Sequence, residues 1–123
     1  MWVLYAYTDT PVIPSFGIAE RDQFELWQAG KPSDYRLIGY FRDEVQCRTE
    51  VANEYLKCSE CESLMPVEAQ VDDTCPNCRF EAVKQAGGSA LGLTAAIAWA
   101  EAWQAAHPQL ADRYRVVIAA PGQ

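Results

Sequence analysis

The chain has 123 residues and a formal net charge of −7, with 17 Asp and Glu against 10 Lys and Arg. Half of the residues are apolar and 11% are aromatic, so the chain can bury a core, and its length suits a single domain. The acidity argues against direct binding to nucleic acid or to an anionic membrane, because both depend on Lys and Arg.

The composition also bears on the compartment. The longest uncharged apolar run, residues 86–100, contains glycine, serine and threonine and is shorter than a bilayer span. The first residues carry no basic charge ahead of their apolar stretch, unlike a signal peptide. Five cysteines, an odd number, do not suit a disulfide framework. We therefore expect a cytoplasmic protein.

The first 41 residues favour strands. Alternating or β-favouring side chains predict three of them, at residues 2–8, 24–27 and 35–41. Residues 29–34 are rich in turn formers and predict a hairpin between the last two strands. Residues 9–22 contain two prolines and a glycine without a regular period, which predicts a long loop.

Two helices and a last strand follow. Asp43 is a good N-cap, and Gln46 can complete a capping box, with apolar residues sharing one helix face as far as Leu56. A second helix is predicted at residues 89–107, where a proline ends it, and a final strand at residues 113–119. Together these elements predict an α+β fold, a mostly antiparallel four-stranded sheet covered on one side by two helices.

The clearest motif is a pair of C-x-x-C sequences, Cys58-Ser59-Glu60-Cys61 and Cys75-Pro76-Asn77-Cys78, with 13 residues between them. Each pair can supply half of a tetrahedral coordination sphere, and four soft thiolates select zinc, or iron as a substitute. Disulfides between the pairs are sterically possible, but a reducing compartment disfavours them. Four cysteine ligands leave no open coordination position, so the sequence predicts a structural Zn²⁺ site formed by Cys58, Cys61, Cys75 and Cys78.

Residues 57–84 resemble the zinc-ribbon and rubredoxin-type knuckle families, whose C-P-x-C knuckle matches Cys75-Pro76-Asn77-Cys78. The resemblance implies a zinc-ribbon subdomain inserted between the two helices of a single α+β domain spanning residues 1–123. Such knuckles usually carry glycine after the second cysteine, whereas this chain has Glu62 and Arg79 at those positions.

The charge of the cysteine segment favours a particular kind of function. Residues 58–78 contain five acidic and no basic side chains, whereas ribbons that bind nucleic acid need basic residues there. Two interpretations are open. The acidic residues are a solvated face around a structural metal, or they are a docking surface for a basic partner, and the candidates for that surface are Glu60, Glu62, Asp72 and Asp73.

Three aromatic residues are further candidates for partner binding. Phe16 lies in the predicted loop, which has little scaffold of its own. Trp99 and Trp103 are four residues apart on the second predicted helix, whose polar face is narrow. All three also suit a hydrophobic core, and the sequence leaves both interpretations open.

We expect a non-catalytic, zinc-stabilised protein that docks a protein or nucleoprotein with a basic surface, as an adaptor or inhibitor. In type it resembles acidic phage and mobile-element inhibitors of nucleic-acid machinery, anti-defence proteins among them. The sequence leaves the oligomeric state open.

Two alternative functions would depend on other residues. A ribbon that binds nucleic acid as a transcription or replication accessory would use the basic residues Arg36, Arg42, Arg48, Lys84, Arg113 and Arg115. A small cysteine-dependent enzyme would rest on Cys47 and His107, which distant elements would have to bring together. A buried inert thiol and an imidazole beside a helix C-terminus explain these two residues more simply.

Overall fold

A computed structural model describes residues 1–110; the strand predicted at 113–119 lies outside the described residues. The strands within residues 1–110 are β1 (Trp2–Tyr7), β2 (Ser15–Glu20), β3 (Tyr35–Phe41), β4 (Tyr55–Lys57) and β5 (Leu64–Pro66). They form one antiparallel sheet in the spatial order β3-β1-β2-β5-β4. The helices of this part are α1 (Arg21–Gly30), α2 (Glu44–Val51), α3 (Pro76–Ala86) and α4 (Gly88–Ala106), with a 3-10 turn at Val67–Ala69. The α+β class is confirmed, but the expected four strands and two helices are too few.

Strand β2 forms where a long loop was expected. It pairs with β1 along its whole length, and this register sets Gly17 opposite Tyr5. A Cβ atom at position 17 would lie 2.5 Å from the Tyr5 hydroxyl oxygen. The glycine that suggested a loop therefore makes room for an aromatic ring on the sheet.

Helix α1 contains residues 24–27, which were wrongly expected to form a strand. Phe24 and Trp27 are three residues apart and so share one helix face, a spacing that four residues cannot distinguish from a strand. Both rings pack on Tyr5, with centroid distances of 5.6 and 5.8 Å. Residues 29–30 accordingly end α1, and residues 31–34 link it to β3 and form no hairpin between strands.

The opposite face of the sheet contributes to the main hydrophobic core, so the sheet is covered on both faces and not on one. Helix α2 begins as predicted, with the Asp43 side chain accepting a hydrogen bond from the Gln46 N–H at 2.9 Å. It ends at Val51, earlier than expected, because Tyr55 pairs with Pro66 across β4 and β5. The core joins the sheet to three helices through Leu4, Ala6, Phe16, Cys47, Val51, Phe80, Ala96, Ala100 and Trp103.

Helix α4 matches its predicted position and forms a tight hairpin with α3. A Cβ atom at Gly92 would overlap the carbonyl oxygen of Lys84, so the two helices approach at a position where only glycine fits. The turn between them uses Gly88 at a φ of +76°. No helix within residues 1–110 is both long and apolar enough to cross a bilayer.

Candidate metal centre

The fold brings the four cysteines together, and their sulfur atoms all lie within 4.8 Å of one another. The Sγ atoms of Cys58 and Cys78 are 3.7 Å apart, and those of Cys61 and Cys75 are 3.8 Å apart. A tetrahedral ion with metal–sulfur bonds of about 2.3 Å requires sulfur–sulfur edges of about 3.8 Å. The four cysteines can therefore hold one metal ion between them.

The first cysteine pair lies at the tip of the β4–β5 hairpin. The Cys58 N–H donates to the Ser63 carbonyl oxygen at 2.8 Å, and the Glu62 N–H donates to the Cys58 carbonyl oxygen at 3.0 Å. Glu62 has a φ of +62°, the left-handed conformation that glycine usually provides. This pair thus forms a tight turn, with glutamate in the position where the resemblance implied glycine.

The second cysteine pair begins helix α3 instead of forming a second knuckle. Cys75 is the N-cap residue, Pro76 is the first helical residue, and Cys78 falls in the first turn. Proline is favoured at the first helical position because its missing N–H has no partner there. Arg79 is consequently an ordinary helical residue, and no left-handed glycine is needed after Cys78.

Backbone groups and burial set the protonation of the sulfurs. Burial of the Cys58 thiol raises its pKa, but N–H groups of Cys61, Cys75 and Glu60 directed at its sulfur outweigh burial and lower the pKa to about 6. Burial raises the pKa of Cys75 to about 11, and the neighbouring sulfurs of Cys61 and Cys58 add to this effect. Burial also raises the pKa of Cys78. Because the four thiols do not all ionise readily by themselves, the donor set suits a cation that stabilises the thiolates.

A groove of about 830 Å³ lies beside Cys61 and Cys78. We call it the acidic groove because four carboxylate side chains line it, those of Glu60, Asp72, Asp73 and Glu81. Arg79 also lines it and forms a 2.7 Å ion pair with Asp72. Glu62 does not line this groove; it lies 3.6 Å from the Lys57 ammonium group in an exposed ion pair.

Sequence reasoning missed two residues of this region, Asn77 and Glu81. Glu81 lies one helical turn beyond Cys78, so recognising Pro76 as the start of a helix would have placed its carboxylate beside the cysteines. Asn77 hydrogen-bonds to residues 12–15, more than 60 positions earlier in the chain. No local sequence signal could have identified those partners.

Two of the aromatic candidates are core residues, which corrects their proposed partner-binding role. Phe16 is 2% exposed and Trp103 is 8% exposed, and both belong to the main core. Trp99 is half-buried against the same core. The large apolar side chains that α4 does expose are Leu91, Leu93 and Ile97.

Cys47 and His107 occupy separate environments. Cys47 is fully buried with its sulfur 4.0 Å from the Val3 carbonyl oxygen, and burial raises the pKa of its thiol. His107 stacks on Trp103 at the end of α4, and its Nδ1 lies 2.8 Å from the carbonyl oxygen of that residue. In the described part of the chain, no hydrogen bond connects the cysteine to the histidine.

The basic residues named for nucleic-acid binding are partly engaged elsewhere. Arg42 lies 3.4 Å from the Asp43 carboxylate, and Arg48 lies 2.8 Å from that of Glu44. Arg36 donates to the Pro32 carbonyl oxygen, and Lys84 lies in the last turn of α3. Arg113 and Arg115 fall outside the described residues.

No protein-family model, curated protein or solved structure matches this chain at a significant level.

Proposed function

We propose that the protein is a non-catalytic binding protein in which a structural Zn²⁺ supports an acidic docking surface for a basic protein or nucleoprotein partner. The observation that carries this proposal is the position of four sulfurs, all within 4.8 Å of one another, next to the acidic groove, which Cys61 and Cys78 line. Zinc suits the site because four thiolates favour a soft ion with tetrahedral geometry. The closed ligand sphere suits a structural metal and not a catalytic one.

The charge around the groove supports a basic partner. Its four carboxylates face one basic side chain, Arg79, which is already paired with Asp72. Four thiolates outweigh one dication, so a loaded metal centre adds further negative charge. A concave surface of one sign attracts opposite charges and accelerates their association. An adaptor, or an inhibitor that covers a basic surface, has this chemistry.

The test is a charge reversal with a matched control. The groove variant changes the four carboxylates that line the acidic groove, Glu60, Asp72, Asp73 and Glu81, to Lys. The control variant makes the same change in charge on the exposed residues Glu20, Asp22, Glu25 and Glu50. Asp22 and Glu25 both form an ion pair with Arg21, as Asp72 does with Arg79. Each protein, shown by elemental analysis to carry equal metal, is immobilised and exposed to nuclease-treated lysate of the native host.

We expect the wild type and the control variant to retain the same proteins and to release them as the salt concentration rises. The groove variant should lose them. Retention of the same proteins by the groove variant, with the same salt dependence, would show that the acidic residues do not dock the partner.

A titration with single- and double-stranded oligonucleotides at low salt addresses the nucleic-acid alternative. The proposal predicts no binding at micromolar protein concentration, because the acidic groove repels phosphate. Saturable binding that becomes weaker when Arg36, Arg42 and Arg48 are replaced with alanine would favour the nucleic-acid-binding function.

A further inference from the structure

Asn77 connects the metal centre to a distant segment of the chain. It lies between the ligands Cys75 and Cys78, and its Oδ1 accepts hydrogen bonds from the N–H groups of Val12 at 2.9 Å and Ile13 at 3.2 Å. Its Nδ2 donates to the Ile13 carbonyl oxygen at 2.8 Å. The side-chain amide therefore satisfies three backbone groups of residues 12–13, which we call the clamped segment.

The clamped segment is part of the main core and not a surface loop. Val12 is 8% exposed and Ile13 is 6% exposed. Helix α4 holds the same segment from its other side, since the Gln104 Nε2 donates to the Val12 carbonyl oxygen at 2.9 Å. Residues 12–13 thus lie between two anchors, Asn77 next to the metal ligands and Gln104 on α4.

We propose that metal binding orders the clamped segment through Asn77, an inference that rests on the proposed metal centre. A bound ion ties Cys75 and Cys78, the first turn of α3, to Cys58 and Cys61 on the β4–β5 hairpin. The first turn of a helix lacks part of its backbone hydrogen bonding, so it depends on such external ties. A fixed first turn aims the Asn77 amide at residues 12–13, and an unconstrained one does not.

This link extends the influence of the metal beyond its own ligands. Pro11 and Ser15, on either side of the clamped segment, line the acidic groove together with Glu60 and Asp73. Metal occupancy therefore acts on the lining of the groove in two ways, directly through the two cysteine pairs and indirectly, through Asn77, at Pro11 and Ser15.

Two contacts that do not involve Asn77 also connect the metal region to the core, and the experiment has to distinguish their effect from that of the Asn77 hydrogen bonds. Phe80 of α3 is 7% exposed and belongs to the main core, and Phe16 of β2 pairs with Leu64 of β5. Both contacts survive when the amide of Asn77 is removed. The variant Asn77→Ala therefore isolates the hydrogen-bonded route.

The experiment is hydrogen exchange on the whole chain, stripped of metal by a chelator and then reloaded with zinc. The quantity compared is the ratio of amide exchange rates without and with zinc at Val12 and Ile13. The variants are Asn77→Ala, Gln104→Ala and Asn53→Ala, the last replacing an exposed asparagine in the turn after α2.

In the wild type we expect zinc to slow exchange at Val12 and Ile13 about tenfold or more, the scale expected for two hydrogen bonds. Asn53→Ala should give the same ratio. Gln104→Ala should exchange faster in both states and keep the zinc dependence, because its anchor does not belong to the metal module. Asn77→Ala should lose the zinc dependence at these two amides and keep it at Cys58 and Cys75.

Cobalt titration of each variant measures metal binding separately from hydrogen exchange, because tetrathiolate Co²⁺ has a characteristic charge-transfer absorption. A failure of the metal centre can therefore be distinguished from a failure of the link through Asn77. If Asn77→Ala binds cobalt normally and retains the wild-type zinc ratio at Val12 and Ile13, the inference is wrong while the metal centre stands. Loss of the zinc ratio in Gln104→Ala would also overturn it, even if Asn77→Ala fails to fold. Absence of the tetrathiolate spectrum from the wild type would contradict the metal centre itself.

Discussion

Glu62 shows how one residue can adopt a conformation that its chemistry disfavours. Glu62 has a φ of +62° and directly follows Cys61, where the hairpin reverses direction. A left-handed conformation costs a non-glycine residue roughly 1–2 kcal/mol. The exposed Lys57–Glu62 pair does not offset this, because surface ion pairs contribute little.

Replacing Glu62 with glycine should therefore stabilise the protein. We expect Glu62→Gly to raise the free energy of unfolding of the zinc-loaded protein by up to about 1 kcal/mol, because relief of the strained φ exceeds the backbone entropy that glycine adds to the unfolded state. Glu60→Gly is the matched control in the same turn, and it should lower the free energy of unfolding because Glu60 has no positive φ. Urea denaturation measures both; equal effects would refute the strain at position 62.

Residues with a fixed local spacing could be identified from the sequence, and residues with distant partners could not. The spacing of the two C-x-x-C pairs was enough to predict that the four cysteines lie together. Asn77 stands inside the second pair, yet its function depends on Val12 and Ile13, which only the fold brings to it. Phe16 was ambiguous for the same reason, since its burial is decided by elements far along the chain.

Elements with strong end signals were predictable, and those defined by packing were not. Asp43 and Gln46 marked the start of α2 correctly, and proline marked the end of α4. Helix α1 was missed because residues 24–27, with three apolar side chains, fit a strand as well as a helix. Their packing against the Tyr5 ring, which favours the helix, is visible only in the fold. Helix α3 was missed because a proline between two cysteines suits both a knuckle turn and a helix start.

The α3–α4 hairpin depends on close approach of the two helices at Gly92. We expect Gly92→Ala to lower the free energy of unfolding by about 1–3 kcal/mol, because its Cβ atom would overlap the Lys84 carbonyl oxygen and force the helices apart. Gly30→Ala at the end of α1 is the control, since no atom lies within 4 Å of the Cβ it would add. That variant should be neutral or slightly more stable, as alanine favours helix. Urea denaturation that ranked the two variants equally would contradict this packing.

The whole molecule concentrates its negative charge in the segment that contains the four clustered cysteines. Residues 58–78 carry five acidic and no basic side chains, and the fold gathers three of those carboxylates with Glu81 around one groove. This region is joined to the rest of the sheet, because Leu64 of β5 pairs with Phe16 of β2. The class of fold and the gathering of the four cysteines could be predicted from the sequence. The groove could not, because it requires the helical start of α3.

X-ray absorption at the metal edge of the purified whole chain can show whether the four cysteines hold one structural zinc ion. We expect a zinc edge at one ion per chain and four sulfur neighbours at about 2.3 Å, with no nitrogen or oxygen in the first coordination sphere. A protein without stoichiometric metal, or a first sphere containing nitrogen or oxygen ligands, would show that the four cysteines do not form this site.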